Sequence, residues 1–290
     1  MPWIVYFIAA GGTFLPGAGL IAVAVASRAI SARRWIGLLS VAIAVVGIAL
    51  VAISAEALAW SIYLVWIACT LLWLLRGMFA SRRRRSIIDL AQLAVTFLAT
   101  ATAISFRLRP TLPPAVFPRL YVIGDSISAG IGSGPANNWP GILGAQHHVQ
   151  VIDLSHAGAT IADATRHTRA EPLADGLVLL EVGGNDLIGH ANADQFGRDL
   201  DALARQVGGP GRQVVMLELP LFPFDNAYGI RQRRIASRYG IHLIPRRYFV
   251  RVLSAPGATL DGIHLSATGH RQMAQMVWEI VGPSMRAAPR

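Results

Sequence analysis

Lysine is absent from this 290-residue chain, and all 26 basic side chains are arginine. That absence reads as a coding bias. It also removes the Lys-Ser/Thr that a Walker phosphate loop needs, so the glycine-rich stretch Gly130-Ile131-Gly132-Ser133-Gly134 reads as a loop. Cysteine is nearly absent. Cys69 stands alone inside an apolar run, which excludes an intrachain disulfide and a cysteine-based metal site and leaves the redox compartment unread. Acids are scarce in the first part: residues 1–118 hold ten Arg but only Glu56 and Asp89, whereas 119–290 hold sixteen Arg and fourteen acids. The net charge of +10 therefore belongs mostly to residues 1–118, where it lies between apolar runs. That placement reads as membrane orientation and not as nucleic-acid binding. Histidine does not occur before position 147.

What is abundant is apolar surface, at 53% of residues, concentrated at the start. Residues 1–106 predict a transmembrane segment of about four helices, 3–26, 35–54, 57–75 and 87–106. Each is of the order of the ~20 residues that cross a ~30 Å hydrocarbon core. Residues 3–26 lack the basic start of a cleaved signal peptide, so they are expected to remain as a span. Glu56 and Asp89 fall at helix ends and are expected to be solvated at the interface. The basic loops at 27–34 and 76–86, the latter with Arg82-Arg83-Arg84-Arg85, are expected on the cytoplasmic side. Four spans then carry the remainder of this multi-pass protein to the extracytoplasmic (periplasmic or outer) face. Residues 107–118 contain four prolines and predict an extended linker.

From residue 119 the texture changes. Apolar runs at 120–123, 149–154, 177–182, 214–219 and 241–244 alternate with amphipathic stretches at 138–146, 161–169, 193–207, 227–239 and 267–281. Continuous Val/Ile/Leu runs separated by helices predict a parallel sheet covered on both faces. The expected fold of 119–290 is α/β: a doubly wound, five-stranded, flavodoxin-like three-layer α/β/α domain, whose site lies at the carboxyl ends of the strands. The polar punctuation falls there. Gly124-Asp125-Ser126 follows the first run, Gly158 the second, Gly183-Gly184-Asn185-Asp186 the third, and Asp261-Gly262-Ile263-His264 precedes the last helix.

A serine hydroxyl needs a neighbouring base to become a nucleophile. Ser126 is the candidate nucleophile, His264 the candidate base and Asp261, three residues earlier, the acid that orients the imidazole. The backbone N–H groups of Ser126 and Gly158 and the side-chain amide of Asn185 are candidate oxyanion donors. Asp125 and Asp186 are expected to hold local structure. Glu181 and Glu218, each in an apolar strand, are expected to be held by backbone or arginine. His147-His148 has no carboxylate or cysteine at ligand spacing, so no metal site is expected. His156 reads equally as a pocket or a structural residue, and Arg231, Arg233, Arg234 and Arg238 as the solvated face of a helix.

Taken together, these blocks resemble the SGNH hydrolases, the GDSL esterase/lipase family. The likeness rests on Gly124-Asp125-Ser126-Ile127-Ser128, the glycine of His156-Ala157-Gly158, Gly183-Gly184-Asn185-Asp186 and Asp261-Gly262-Ile263-His264. It covers roughly 119–283, with Ile127 where the family name implies Leu and His156 where many relatives carry Asn. The resemblance implies hydrolysis of carboxylic esters or thioesters through an acyl-enzyme, and no cofactor. The expected protein is a membrane-anchored serine esterase acting on acyl or acetyl esters of lipids or envelope glycans. Acyl transfer by the same triad, or a non-catalytic membrane module, are the alternatives. No nucleic-acid partner is expected, and no oligomeric state is readable.

Overall fold

The computed structural model describes residues 3–30, 33–79, 87–112, 115–131 and 137–285, without the side chains of 34 and 77–79. Arg82–Arg85, Pro113-Pro114 and Gly132–Gly134 lie outside the described residues. Two compact units are present. One comprises Met1–Tyr6, Leu108–Pro220 and Ala227–Arg290, and the other Phe7–Arg107 and Leu221–Asn226.

The first five helices are α1 (Trp3–Ala9), α2 (Phe14–Ile30), α3 (Arg34–Ala52), α4 (Trp60–Phe79) and α5 (Ile87–Ser105). The expected first span is broken: α1 and α2 meet at 73°. The break falls at Gly11, whose φ of +72° belongs to the left-handed region that L side chains avoid. Stretches Trp35–Ala52 and Ile87–Ser105 are long and apolar enough to cross a membrane, and the bent pair adds a third if it counts as one span. The apolar part of α4, Trp60–Arg76, is shorter.

Small residues bring α2 and α3 together. A Cβ on Gly17 would lie 2.7 Å from the Gly47 carbonyl, and one on Gly47 2.7 Å from that of Gly17. Between α4 and α5, Trp66 Nε1 donates to Thr96 Oγ1 at 3.0 Å and Gln92 Nε2 to Thr70 Oγ1 at 2.9 Å. The two acids are buried and ion-paired, where solvation was expected. Glu56 accepts from Arg107 Nη2 at 2.9 Å and Asp89 from Arg76 Nη1 at 3.0 Å. An acid in apolar surroundings is stabilised by a partner that water no longer supplies.

The α/β unit runs β1 (Arg119–Gly124), α6 (Ser126–Ala129), α7 (Trp139–His147), β2 (Gln150–Asp153), α8 (Ile161–Arg169), β3 (Gly176–Glu181), α9 (Gly184–Ile188) and α10 (Ala193–Val207). It continues with β4 (Arg212–Leu217), α11 (Asn226–Tyr239), β5 (His242–Ile244), α12 (Arg246–Leu253) and α13 (Ala267–Val281). The five strands form one parallel sheet in the order β2-β1-β3-β4-β5. The central strand β3 is buried along its whole length, as its unbroken apolar run requires. Helix α8 packs on α10, and α7 and α12 on α13.

Helix starts follow their caps: Asn138 accepts from Gly141 N, Asn192 from Asp194 N and Ser266 from Gly269 N, and Thr160 and Asp163 close a capping box. Periodicity had not resolved α6, α9 and α12. The first two span 4 and 5 residues, too short to show a period, and α12 follows β5 after the single residue Pro245.

Behind the end of β4, Glu218 accepts from Arg233 Nε at 2.7 Å and Arg246 Nη2 at 2.9 Å, all three side chains being buried. An arginine partner was expected for Glu218. Arg233 on the solvated face was not: Arg231, Arg234 and Arg238 share a helical face by their spacing, and Arg233 points inward. Burial pushes the Glu218 carboxyl up, but Arg246 and Arg233 outweigh it and hold it at about 2.

Glu218→Ala leaves two buried guanidiniums without their carboxylate and should cost about 3–5 kcal/mol at neutral pH. Because the folded pKa lies below the ordinary value of 4.5, the stabilisation is present above that pH and lost as pH falls through about 2. Denaturation midpoints of variant and wild type should therefore differ at pH 7 and approach one another in acid. Equal midpoints at pH 7 would refute this role.

Candidate active site

Sheet order decides where a site can form. With β1 flanked by β2 on one side and β3 on the other, the chain leaves β1 and β3 toward opposite faces, which opens a crevice at their carboxyl ends. Ser126 starts α6 directly after β1, and Asn185 lies in α9 directly after β3.

Asp125 caps α6, its Oδ1 accepting from Ile127 N at 3.0 Å. Its own N–H donates to the Glu181 carbonyl at 3.1 Å, tying the turn to β3. Ser126 is buried at 9% exposure, and Ser128 is wholly buried. Asp186, also buried, accepts from Ile161 N at 3.0 Å and so anchors the start of α8. Both aspartates hold local structure, as expected. Asn185 Nδ2 donates to the Ala159 carbonyl at 3.0 Å, which joins the third block to the residue after Gly158. Gly158 has φ +75°, and nothing lies within 4 Å of where its Cβ would be, so its backbone borders open space.

The acid and base meet within one loop. His264 Nδ1 lies 2.6 Å from Asp261 Oδ2, while Asp261 Oδ1 accepts from the backbone N–H of Ile263 at 2.9 Å and His264 at 2.8 Å. The His264 side chain and these N–H groups hold the Asp261 carboxyl well below the usual range. The loop is open, with side-chain exposures of 31% for His264 and 54% for Asp261. Among the described residues no hydrogen bond joins Ser126 to His264. His264 acts electrostatically on the carboxyl of Asp125, the neighbour of Ser126.

Burial raises the Asp125 carboxyl to about 6, against the opposing Ile127 N–H and His264. A carboxyl raised above its ordinary 3.8 favours the fold most in acid and loses that contribution as pH rises through about 6. Asp125→Asn keeps an acceptor for Ile127 N and carries no charge. Its unfolding free energy should therefore gain on that of wild type between pH 4 and 6 and stay ahead above, by an amount on the order of 1–3 kcal/mol, read from denaturation at each pH. A gain that shrinks over that range would contradict the assignment.

Among the described residues no hydrogen bond joins His156 to Ser126. His156 stacks on His167 at 3.8 Å between centroids, with Nδ1 3.1 Å from the Leu154 carbonyl. Sequence reasoning did not bring together the groups that meet beneath the turn. Ser128 Oγ donates to Glu181 Oε2 at 2.7 Å and accepts from Trp139 Nε1 at 3.1 Å, and the Ser128 carbonyl accepts from Asn138 Nδ2 at 3.0 Å. Glu181 is thus held by a hydroxyl as well as by the backbone N–H groups of Asp125 and Ser128; backbone partners were expected and the hydroxyl was not. A carboxylic acid in a strand buried throughout was the available signal. Among the described residues no group of three or more His, Cys, Asp or Glu is arranged to hold a metal.

Residues 122–272 match the profile of the GDSL-like Lipase/Acylhydrolase family. The chain is similar to Esterase TesA of Pseudomonas aeruginosa, 25% identical over 182 residues covering 57% of this chain and 88% of the esterase. Among solved structures, TesA superposes with a TM-score of 0.50 at 26% identity, covering 57% of this chain and 98% of TesA. The psychrotrophic esterase EstA from a Pseudoalteromonas species superposes with a TM-score of 0.51 at 17% identity, over 57% of this chain and 97% of EstA.

Proposed function

The chain belongs to the GDSL-like lipase/acylhydrolase family, and from that premise we propose a serine mechanism for its hydrolysis of carboxylic esters, with Ser126 as nucleophile. As Ser126 Oγ bonds to the ester carbonyl carbon, its proton passes to His264 Nε2. The carbon–oxygen bond to the alcohol then breaks, and the same proton leaves with the alcohol. Water repeats the sequence on the acyl-enzyme and releases the acid. Asp261 orients the imidazole and stabilises its charged form. The N–H groups of Ser126 and Gly158 and the Asn185 amide receive the oxyanion.

The observation that carries this reading is the 2.6 Å Asp261–His264 pair, together with the Asn185–Ala159 bond that draws two of the oxyanion blocks together. The hydrogen bond that this mechanism needs between Ser126 and His264 is of the kind that tightens in the reacting complex.

The substrate class we assign is acyl or acetyl esters of lipids or envelope glycans, handled by a domain tethered to a membrane and facing away from the cytoplasm. The eight arginines at the ends of α2 and α4 and before or at the start of α3 and α5 outnumber Arg107 and Arg109 at the opposite ends, and that asymmetry supports the orientation.

The full-length protein, treated with a fluorophosphonate, should carry the adduct on the peptide containing Ser126 and lose its hydrolysis of a short-chain aryl ester in proportion. Labelling elsewhere, or activity surviving complete labelling, would end the serine assignment. A reporter fused after residue 110 that is active only in the cytoplasm would reverse the orientation.

A further inference from the structure

The second serine of the Gly124–Ser128 block plays no part in the chemistry above, nor does Glu181. Both are buried, at 0% and 2% exposure. They sit 53 residues apart in sequence, and their side chains meet in a 2.7 Å hydrogen bond. Ser128 shares a four-residue helix with Ser126, so whatever holds Ser128 holds the nucleophile.

Every polar group of the Ser128 side chain and its carbonyl is occupied. The hydroxyl donates to Glu181 and accepts from the fully buried Trp139, and the carbonyl accepts from Asn138, which also donates to Asp153 Oδ2 at 2.8 Å. Gly124 is the independent witness to how tightly this is built. A Cβ there would lie 2.5 Å from Ser128 Oγ and 3.0 Å from Glu181 Oε2, so the first glycine of the block leaves room for this contact.

The geometry points to Glu181 as a positioning residue for the nucleophile: from β3 it grips Ser128, and through α6 it sets the direction of the Ser126 hydroxyl. Glu181 touches neither substrate nor reacting atoms. It works as an acceptor fixed in the sheet, while Trp139 and Asn138 hold the same serine from α7. Burial, and then the neighbouring Asp125, push its carboxyl well above the usual range. An uncharged amide of the same shape should therefore serve nearly as well. A displacement of ~1 Å at a reacting group can cost about 10²-fold, which sets the scale of the expected effect.

This inference rests on Ser126 being the nucleophile, and the test separates the two. Full-length wild type, Glu181→Gln, Glu181→Ala, Ser128→Ala and the Glu181→Ala/Ser128→Ala double variant are titrated with a fluorophosphonate. Aryl-ester hydrolysis is then expressed per reactive serine, so that misfolded protein drops out. Glu181→Ala and Ser128→Ala should each lower kcat by about 10- to 100-fold with KM within about 2-fold. The double variant should be no worse than the poorer single one, because both remove the same bond. Glu181→Gln should stay within about 3-fold of wild type.

Unchanged kcat per titrated serine in the single variants, or losses that multiply in the double one, would overturn the positioning role. If Glu181→Ala yields no folded protein, Ser128→Ala and Glu181→Gln still decide the matter. Ser128→Ala near wild type, or Glu181→Gln as impaired as Ser128→Ala, would refute the proposal. An inactive, unlabelled wild type would instead strike at the serine mechanism itself.

Discussion

Ser126→Ala is expected to reduce kcat for a short-chain aryl ester by about 10⁶-fold, down to a residue of catalysis from binding and oxyanion donors alone. Alanine has no atom that can bond to the carbonyl carbon, so the acyl-enzyme route closes. The proposed oxyanion donors are untouched, because two of them are backbone groups and the third, Asn185, is held by the Ala159 carbonyl. Substrate binding should persist, so a competitive ester analogue should bind the variant within a few-fold of wild type. Stability should barely change, since only one hydroxyl is lost from a site at 9% exposure. The measurement is initial rate against enzyme concentration, with the phosphonate-blocked wild type as background. Retention of as much as about 1% of wild-type kcat would remove Ser126 from the mechanism.

His264→Ala should cost nearly as much, about 10⁵- to 10⁶-fold, because the serine hydroxyl is then left without its base. Asp261 is a different case. In proteins where the orienting acid is buried its loss costs about 10⁴-fold. Here its side chain is 54% exposed and that of His264 31%. Water can take over part of the hydrogen bonding to the imidazole, and solvent screens the charge. Asp261→Asn should therefore lower kcat by only about 10²- to 10³-fold. Since Asp261 acts through the imidazole, adding Asp261→Asn to His264→Ala should leave the rate where His264→Ala put it. A double variant slower by the full product would mean that Asp261 reaches the substrate by another path.

How far the sequence carried each conclusion depended on how far apart the partners lie. The strands were legible because each is a short continuous apolar run, and three helices, 161–169, 193–207 and 267–281, have the bounds that their patterns and caps predict. The Asp261–His264 contact was legible for the same reason: three residues on one loop cannot stray far from each other. The block order also placed Ser126, the proposed nucleophile, at a strand end, which is local information.

Local spacing failed where a second partner comes from elsewhere in the chain. Nothing in the spacing distinguishes Glu56 solvated from Glu56 paired to Arg107, 51 residues on. Nor does it pick Arg233 out of an arginine-rich helix to meet Glu218. The break at Gly11 is likewise a tertiary matter, since the left-handed glycine stands where a Cβ would come within 2.9 Å of Glu56 Oε2.

By itself, then, the sequence determined the fold class, the family blocks and the pairing of acid with base, because all three are written in contacts between near neighbours along the chain. Only the tertiary structure decided what lies beneath Ser126. Setting β3 beside β1 brought Glu181 within 2.7 Å of Ser128, and that juxtaposition follows from sheet order, which residue spacing does not encode.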